Sequence, residues 1–538
     1  MAERARTDQR TTKKGNNFMS GVLVLSLSAV IVKIIGLIYK IPMLRLLGSE
    51  GMGYFNSAYE IYTLFCVIST AGLPVAMSVM ISSSLSRRGS EVKRIFSVSM
   101  KLFLLLGALG MLVMLGFAKP FASFLGSDRA IYCIYAIAPT VFFICLSSAY
   151  RGYFQGFGEM APTALSQLIE ALGKLILGLI FASVALIMGY STEIVAAFAV
   201  MGLTLGTAVS ALYLMLVKKF RSAKEYGILL TLEESNGGNI LHELLRTAIP
   251  VTLSSAVISM TKLIDMTMIL RRMQDVGYSS EAAFSAYGSY TTLAVPLFAL
   301  APALISSVSL PLVPALSSAI AAGDREGQSE AAMGAMRLTV FVSAPISIGL
   351  SLFSRPILEL IFKGEVEAID VAAPLMMVLG FSVTLSCMIT VTNAILQAYS
   401  KATVPIISMA AGAAVKIVVS YILIGNKNIG IIGAPLSTFL CDLIINLINF
   451  AFIDKKLPEP ISVEKVFLRP HIAAAVSVVA ARIGYNFAAF YSGGSQLLTV
   501  ICICLAGILY CLFSLCLGIF GKEDLGGLLQ KKSIAAKE

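Results

Sequence analysis

The chain has 538 residues, of which 57% are hydrophobic and only 13% charged, with no Trp, two His and a net charge of +11. A soluble protein of this size carries about a quarter of its residues charged, and here the mean hydropathy is +0.86. These values exclude a soluble enzyme, a disulfide-framed secreted domain and a nucleic-acid binder, and they predict an all-α, polytopic membrane protein.

Runs of about 20 apolar residues, enough to cross ~30 Å of hydrocarbon as helix, recur along the whole chain. Fourteen are expected, centred near Val30, Thr70, Leu106, Val141, Leu177, Thr204, Val257, Ala303, Ser343, Thr384, Ala414, Leu440, Val479 and Gly507. The first, from Asn17 to Met43, holds Lys33 and Lys40 and is too long for a cleavable signal, so it is read as part of the protein. All nine Cys fall inside apolar runs and behave as small hydrophobes. His242 and His471 are far apart and no CxxC pair exists, so neither a metal site nor another cofactor is expected.

Cytoplasmic loops retain basic residues. With the N-terminus inside, alternate segments hold 26 of the 41 Lys and Arg, Arg151 counted among them as a cytoplasmic loop residue, the opposite loops hold 8, and 7 fall within spans. Both termini are therefore placed in the cytoplasm. Most of the net charge sets topology and attracts anionic lipid.

The two halves repeat. Ser57-Ala-Tyr-Glu-Ile-Tyr-Thr63 matches Ser285-Ala-Tyr-Gly-Ser-Tyr-Thr291 at five of seven positions, Phe117-Ala-Lys-Pro120 matches Phe353-Ser-Arg-Pro356, and Gln155 with Lys174 matches Gln397 with Lys416. The matches run in order and equate helices two to five with eight to eleven. Six helices, an even number, separate the copies, which implies a parallel repeat about an axis along the bilayer normal. The expected plan is a tail 1–17, an N-lobe of six helices 18–217, a cytoplasmic linker 218–245, a C-lobe 246–453, helices 13 and 14 within 467–520, and a tail 521–538. Two such lobes suit alternating access, and no P-loop suggests a built-in energy source. Coupling to an ion or to the membrane potential is left as the drive.

Charges at membrane depth are costly, so each marks a candidate site. The spans hold Glu60, Glu170, Asp265 and Asp442 against Lys33, Lys40, Lys101, Lys174, Lys262, Lys416 and Arg482. That excess of cations favours an anionic substrate over a cationic drug. Lys33, mid-span, is read as a cavity cation for phosphate, and Lys40, one heptad on, as its neighbour on the same face. Glu60 is expected to pair with Lys40 or to gate access. Lys262 and Asp265, at i and i+3, satisfy one another and face the cavity or a coupling ion. Arg271 and Arg272 are read as solvated. Glu170 and Lys174, in the favourable i, i+4 order, are read as a structural pair, and Lys416 is matched to Asp442. Arg482 has no evident partner. Gly36, Gly72 and Gly173 are read as close-packing positions. The outer acidic cluster of Glu365, Glu367 and Asp370 reads as a solvated turn, too sparse for a membrane glycosyltransferase.

The segments Lys33-Ile-Ile-Gly-Leu-Ile-Tyr-Lys-Ile-Pro42, Leu47-Gly-Ser-Glu-Gly-Met-Gly-Tyr54, Ser69-Thr-Ala-Gly-Leu-Pro74, Arg151-Gly-Tyr-Phe-Gln-Gly156 and Thr392-Asn-Ala-Ile-Leu-Gln-Ala398 resemble the stage V sporulation protein B-like branch of the polysaccharide transporters. That branch belongs to the multidrug/oligosaccharidyl-lipid/polysaccharide exporter superfamily. The resemblance implies a MATE-like fold of two six-helix lobes plus two helices. It also implies a flippase for an undecaprenyl-pyrophosphate-linked cell-wall precursor such as lipid II, with cell-wall synthesis proteins as candidate partners. In such relatives basic residues of helix 1 and near helices 2 and 7 line a cationic cavity, the positions that Lys33, Lys40 and Arg45 occupy here. After Ser69–Pro74 many relatives carry Lys and Glu, whereas this chain reads Ser78-Val-Met-Ile-Ser82. The alternatives are a flippase for another polysaccharide repeat unit and a cation-coupled multidrug antiporter.

Overall fold

The computed structural model describes residues 2–86, 91–229, 239–401, 403–492 and 495–518. The side chains of tail 1–17, Arg87 and Arg88, the centre of the 218–245 linker and the whole of the 521–538 tail lie outside the described residues. The described chain is helical throughout, with no strand. Twelve helical stretches in it are long and apolar enough to cross a membrane. They include every expected span but the seventh, with the first two joined in one stretch, Val30–Leu85.

That joining has a local cause. Helix α1 (Ala2–Thr70) is broken at Gly48, whose φ of 65° and ψ of 179° are not helical, a backbone state that glycine reaches without a Cβ clash. The chain resumes as a second arm and breaks again before α2 (Leu73–Ser86). The second expected span, centred near Thr70, therefore consists of two pieces.

The chain forms two compact units, Met1–Gly288 and Ser289–Glu538. The first holds α3 (Val92–Gly116), α4 (Ala118–Leu125), α5 (Ile131–Gly156), α6 (Ala161–Ile187), α7 (Thr192–Leu229), α8 (Ile240–Asp275) and most of α9 (Ser280–Ser289). Helix α8, expected to open the second lobe, packs against α1 and α2 within this first unit, so the compact units divide some forty residues beyond the expected linker. A Cβ on Gly72 would lie 2.1 Å from the carbonyl oxygen of Ala248, so the break before α2 lets the backbone of α8 pass. Helices α6 and α7 meet in the same way, with Gly173 against the Cα of Gly206 at 2.5 Å from a built Cβ. Helix α6 also exposes Leu172, Ile176, Ile180 and Val184 at four-residue spacing. A soluble helix would carry polar groups there; here the apolar stripe suits lipid.

The second unit contains α10 (Val295–Ala322), α11 (Arg325–Leu352), α12 (Ser354–Ile361), α13 (Val366–Ala398), α14 (Thr403–Ile424), α15 (Gly433–Ile453), α16 (Arg469–Ser492) and α17 (Gln496–Cys516). Met336, Val340, Val383, Cys387 and Val391 are fully buried where α11 meets α13. Asn449 of α15 donates to Thr392 Oγ1 and Asn393 Oδ1, both at 3.0 Å. The last two helices join this core through the Tyr510 hydroxyl, which donates to the Phe341 carbonyl at 2.8 Å. Arg482, without a partner in the sequence, stacks its guanidinium 5.4 Å from the Phe353 ring centre and 5.2 Å from that of Tyr485. The acidic turn is not simply solvated, since Asp370 pairs with Arg355 at 2.9 Å.

Candidate functional site

Five helical segments of the first unit, the two arms of α1 with α5, α6 and Leu203 of α7, line a cavity of about 510 Å³, within the ~300–1,000 Å³ range of small-molecule clefts. The second arm of α1 contributes Tyr59, Tyr62, Thr63 and Cys66, an i, i+3, i+4, i+7 stripe that lies along one helical face. From the first arm come Lys33, Gly36 and Tyr39, from α5 Ser148 and Arg151, and from α6 Gln167, Glu170 and Lys174. Three bases thus face one acid.

Arg151 is the organising group. The loop count assigned it to a cytoplasmic connection, but α5 runs on to Gly156 and carries the guanidinium inward. Its Nη2 donates to Glu170 Oε2 at 2.8 Å, with the side chains only 13% and 21% exposed. Its Nε donates to Ser166 Oγ at 2.9 Å and Nη2 reaches Ser210 Oγ at 3.4 Å. The expected pairing of Glu170 with Lys174 is therefore corrected: the carboxylate turns to the neighbouring helix, where a planar guanidinium and two serines complete the network. Lys174 instead places its Nζ 4.7 Å from the Tyr59 ring centre, 5.0 Å from Tyr39 and 5.3 Å from Phe55. Three electron-rich faces stabilise an ammonium removed from water. The Tyr39 hydroxyl is buried with no hydrogen-bond partner among the described residues, a cost of about 1–3 kcal/mol unless a ligand relieves it.

Glu60 sits between Tyr59 and Tyr62 in sequence yet points elsewhere, as a 100° helical step requires. Its carboxylate lies in the electrostatic field of Lys262, Lys40 and Asp265, and Oε2 is buried without a hydrogen-bond partner among the described residues. Lys40 feels Lys174, Glu60 and Lys262. The structure thus gathers Lys40, Glu60, Lys262 and Asp265 into a mixed-charge cluster, while Lys33, Glu170 and Lys174 belong to the cavity. Lys33 and Lys40 are consequently not side by side in one pocket. Arg45 is exposed near Gly48 and lines no part of the cavity. Gly36, expected at a packing contact, has no atom within 4 Å of a built Cβ. In the second unit Lys416 and Asp442 are both 8% exposed, on α14 and α15, which pack together.

Arg271 and Arg272 are not merely solvated. Arg271 donates to the carbonyls of Phe124, at 2.6 Å, and Ser123, capping the end of α4, and Arg272 pairs with Asp275 at 3.0 Å.

The family model described as polysaccharide biosynthesis protein matches residues 18–320, more than half of the chain. The chain belongs to that family. A model named MatE also matches residues 250–422. Stage V sporulation protein B of Bacillus subtilis (strain 168) is 26% identical over 456 residues, covering 84% of this chain and 86% of the relative. Lipid II flippase MurJ of the same organism is 25% identical over 515 residues, covering 91% and 93%. A solved lipid II flippase MurJ in an inward closed conformation superposes with a TM-score of 0.69 at 16% identity, covering 91% of this chain and 98% of that one. An inward-facing multidrug resistance MATE family transporter of the MOP superfamily gives 0.62 at 17% identity, covering 79% and 98%. The fold is thus the MurJ and MATE fold, the protein is a multi-pass membrane protein, and the relatives are transporters and not catalytic enzymes. Sequence reasoning passed over Arg151, Tyr39 and Tyr59. The available signal was the polar stripe from Tyr59 to Cys66 and a lone Arg beside small and aromatic residues in Arg151–Gly156.

Proposed function

We propose that the chain is a flippase that carries an undecaprenyl-pyrophosphate-linked cell-wall precursor, lipid II in the first instance, from the cytoplasmic to the outer leaflet by alternating access. The observation that carries this reading is the cavity with Lys33, Arg151 and Lys174 against Glu170 alone. A pyrophosphate needs cations in a site of reduced dielectric, where each is worth more than in water. Lys40, Glu60, Lys262 and Asp265 then serve as a neighbouring charged surface for the same head group or for a coupling ion, and Lys416 with Asp442 as a structural pair. Two relatives spanning most of this chain, one named lipid II flippase MurJ, support the choice of substrate class. The distribution of Lys and Arg supports cytoplasmic termini, and the internal sequence repeat supports lobes at 18–217 and 246–453.

Purified protein in proteoliposomes, offered fluorescent lipid II beside a lipid-linked repeat unit of another polymer, tests the reading. Lipid II is expected to cross, and Lys33→Ala to slow it at least tenfold. Export of ethidium in place of lipid II would select the antiporter instead.

A further inference from the structure

We infer that Glu170 is an exchangeable internal counter-ion, and that the Arg151 guanidinium it occupies is the docking point for an oxyanion of the head group. The inference rests on the flippase reading for the ligand's origin but on this unit's geometry for the site itself. Glu170 has two cations within reach of one carboxylate: Arg151 across the helix interface at 2.8 Å, and Lys174 one helical turn along α6. An i, i+4 Glu-to-Lys pair is the local default, yet Lys174 stands over Tyr39, Phe55 and Tyr59. In the observed arrangement Arg151 holds Glu170 and the rings hold Lys174; in the exchanged one Glu170 turns to Lys174 and an oxyanion takes its place on Arg151.

Arg151 keeps its place in either case. Ser166 and Ser210 hold the guanidinium from α6 and α7, and Ser210 is itself fixed by donating to the Ser166 carbonyl at 2.8 Å. Removing Glu170 therefore leaves a planar donor aimed at the cavity, a geometry that matches phosphate or carboxylate in bidentate fashion. An incoming oxyanion replaces one charge-assisted contact with another, so no buried charge is stranded during exchange. Without a ligand the internal carboxylate holds the cavity's cations in check against stray anions.

The test is equilibrium binding of radiolabelled inorganic pyrophosphate, and separately of glucuronate, to the full chain in nanodiscs. Glu170→Gln removes the internal competitor, and affinity for one of the two probes is expected to rise about tenfold. The probe that gains identifies the oxyanion as phosphate or sugar carboxylate. Lys174→Gln removes both the alternative partner and one cavity cation, so it is expected to weaken binding more than about fivefold in the native background and by a clearly smaller factor in the Glu170→Gln background, where only the cation is lost; equal factors in the two backgrounds would overturn the exchange. Unchanged or weaker binding of both probes by a Glu170→Gln protein that elutes as the native protein does would overturn the exchange. Should that variant fail to fold, Glu170→Asp, whose carboxylate is drawn back by one methylene, is expected to show the same gain in smaller measure, and no gain overturns the exchange too. Lipid II flipping with probe binding indifferent to Glu170 would refute the exchange and leave the flippase standing. Tighter binding without any flipping would do the reverse.

Discussion

A Cβ built on Gly53 would stand 2.1 Å from the carbonyl oxygen of Phe284, and one on Gly288 would stand 1.9 Å from that of Ser49. The second arm of α1 and helix α9 are thus in backbone contact, sealed by the Tyr54 and Phe284 rings with centres 4.6 Å apart. Arg129 lies at the same end, 3.1 Å from Glu281 and 3.8 Å from Glu50. Gly53→Ala and Gly288→Ala are each expected to force the helices apart at a cost of about 1–3 kcal/mol, the usual penalty for overpacking. Thermal unfolding in detergent reads this directly, and native melting of both variants would show that the contact is not maintained.

Arg271→Ala withdraws the donors from the carbonyls of Phe124 and Ser123. Those groups are exposed enough for water to replace the guanidinium in part, so the expected loss is about 1 kcal/mol, below the 1.5–3 typical of charged hydrogen bonds. Faster amide exchange at the end of α4, with the rest of the first unit unaffected, is the signature to look for.

Asn449→Ala is expected to cost more, about 2–3 kcal/mol, because it takes a donor from buried Thr392 and half-buried Asn393 in the second unit. Asn449→Leu with Thr392→Val, which leaves only half-buried Asn393 without that donor, should recover part of the loss. A double-mutant cycle on melting temperature checks the coupling.

Lys174→Met keeps length and contact with the three rings through a polarisable sulfur but removes the charge. Stability is expected to hold to within about 1 kcal/mol, since a cation–π contact and a sulfur–aromatic contact are similar in worth. Flipping of lipid II should nonetheless fall about tenfold. Comparable loss of both would make Lys174 a structural residue only.

The helical, membrane-spanning character and the excess of intramembrane cations were legible because hydropathy and charge are properties of residues taken singly. Gly72 and Gly173 were legible as packing positions because a missing side chain has few other uses. The partner of Glu170 was not. Its choice between Lys174 and Arg151 depends on the rotation of α6 against α5, which sequence spacing along one helix does not encode. Arg151 was hidden for a related reason: a basic residue near the end of an apolar run reads as a loop residue, and only the extra turns of α5 up to Gly156 bring it inside. The separation of Lys33 from Lys40 follows from the same limit, since one heptad along a helix fixes a face but not which neighbours cover its two ends.

Gly36 gains a use from its setting. It lines the cavity beside Lys33 and Tyr39, and among the described residues nothing stands within 4 Å of where its Cβ would be. A first methyl there meets no described neighbour, and larger side chains take up progressively more of the cavity that the proposed cargo would occupy. Replacing it in turn by Ala, Val, Leu and Phe makes a ruler: the size at which translocation stops, with melting unchanged throughout, measures the head group by the room it requires.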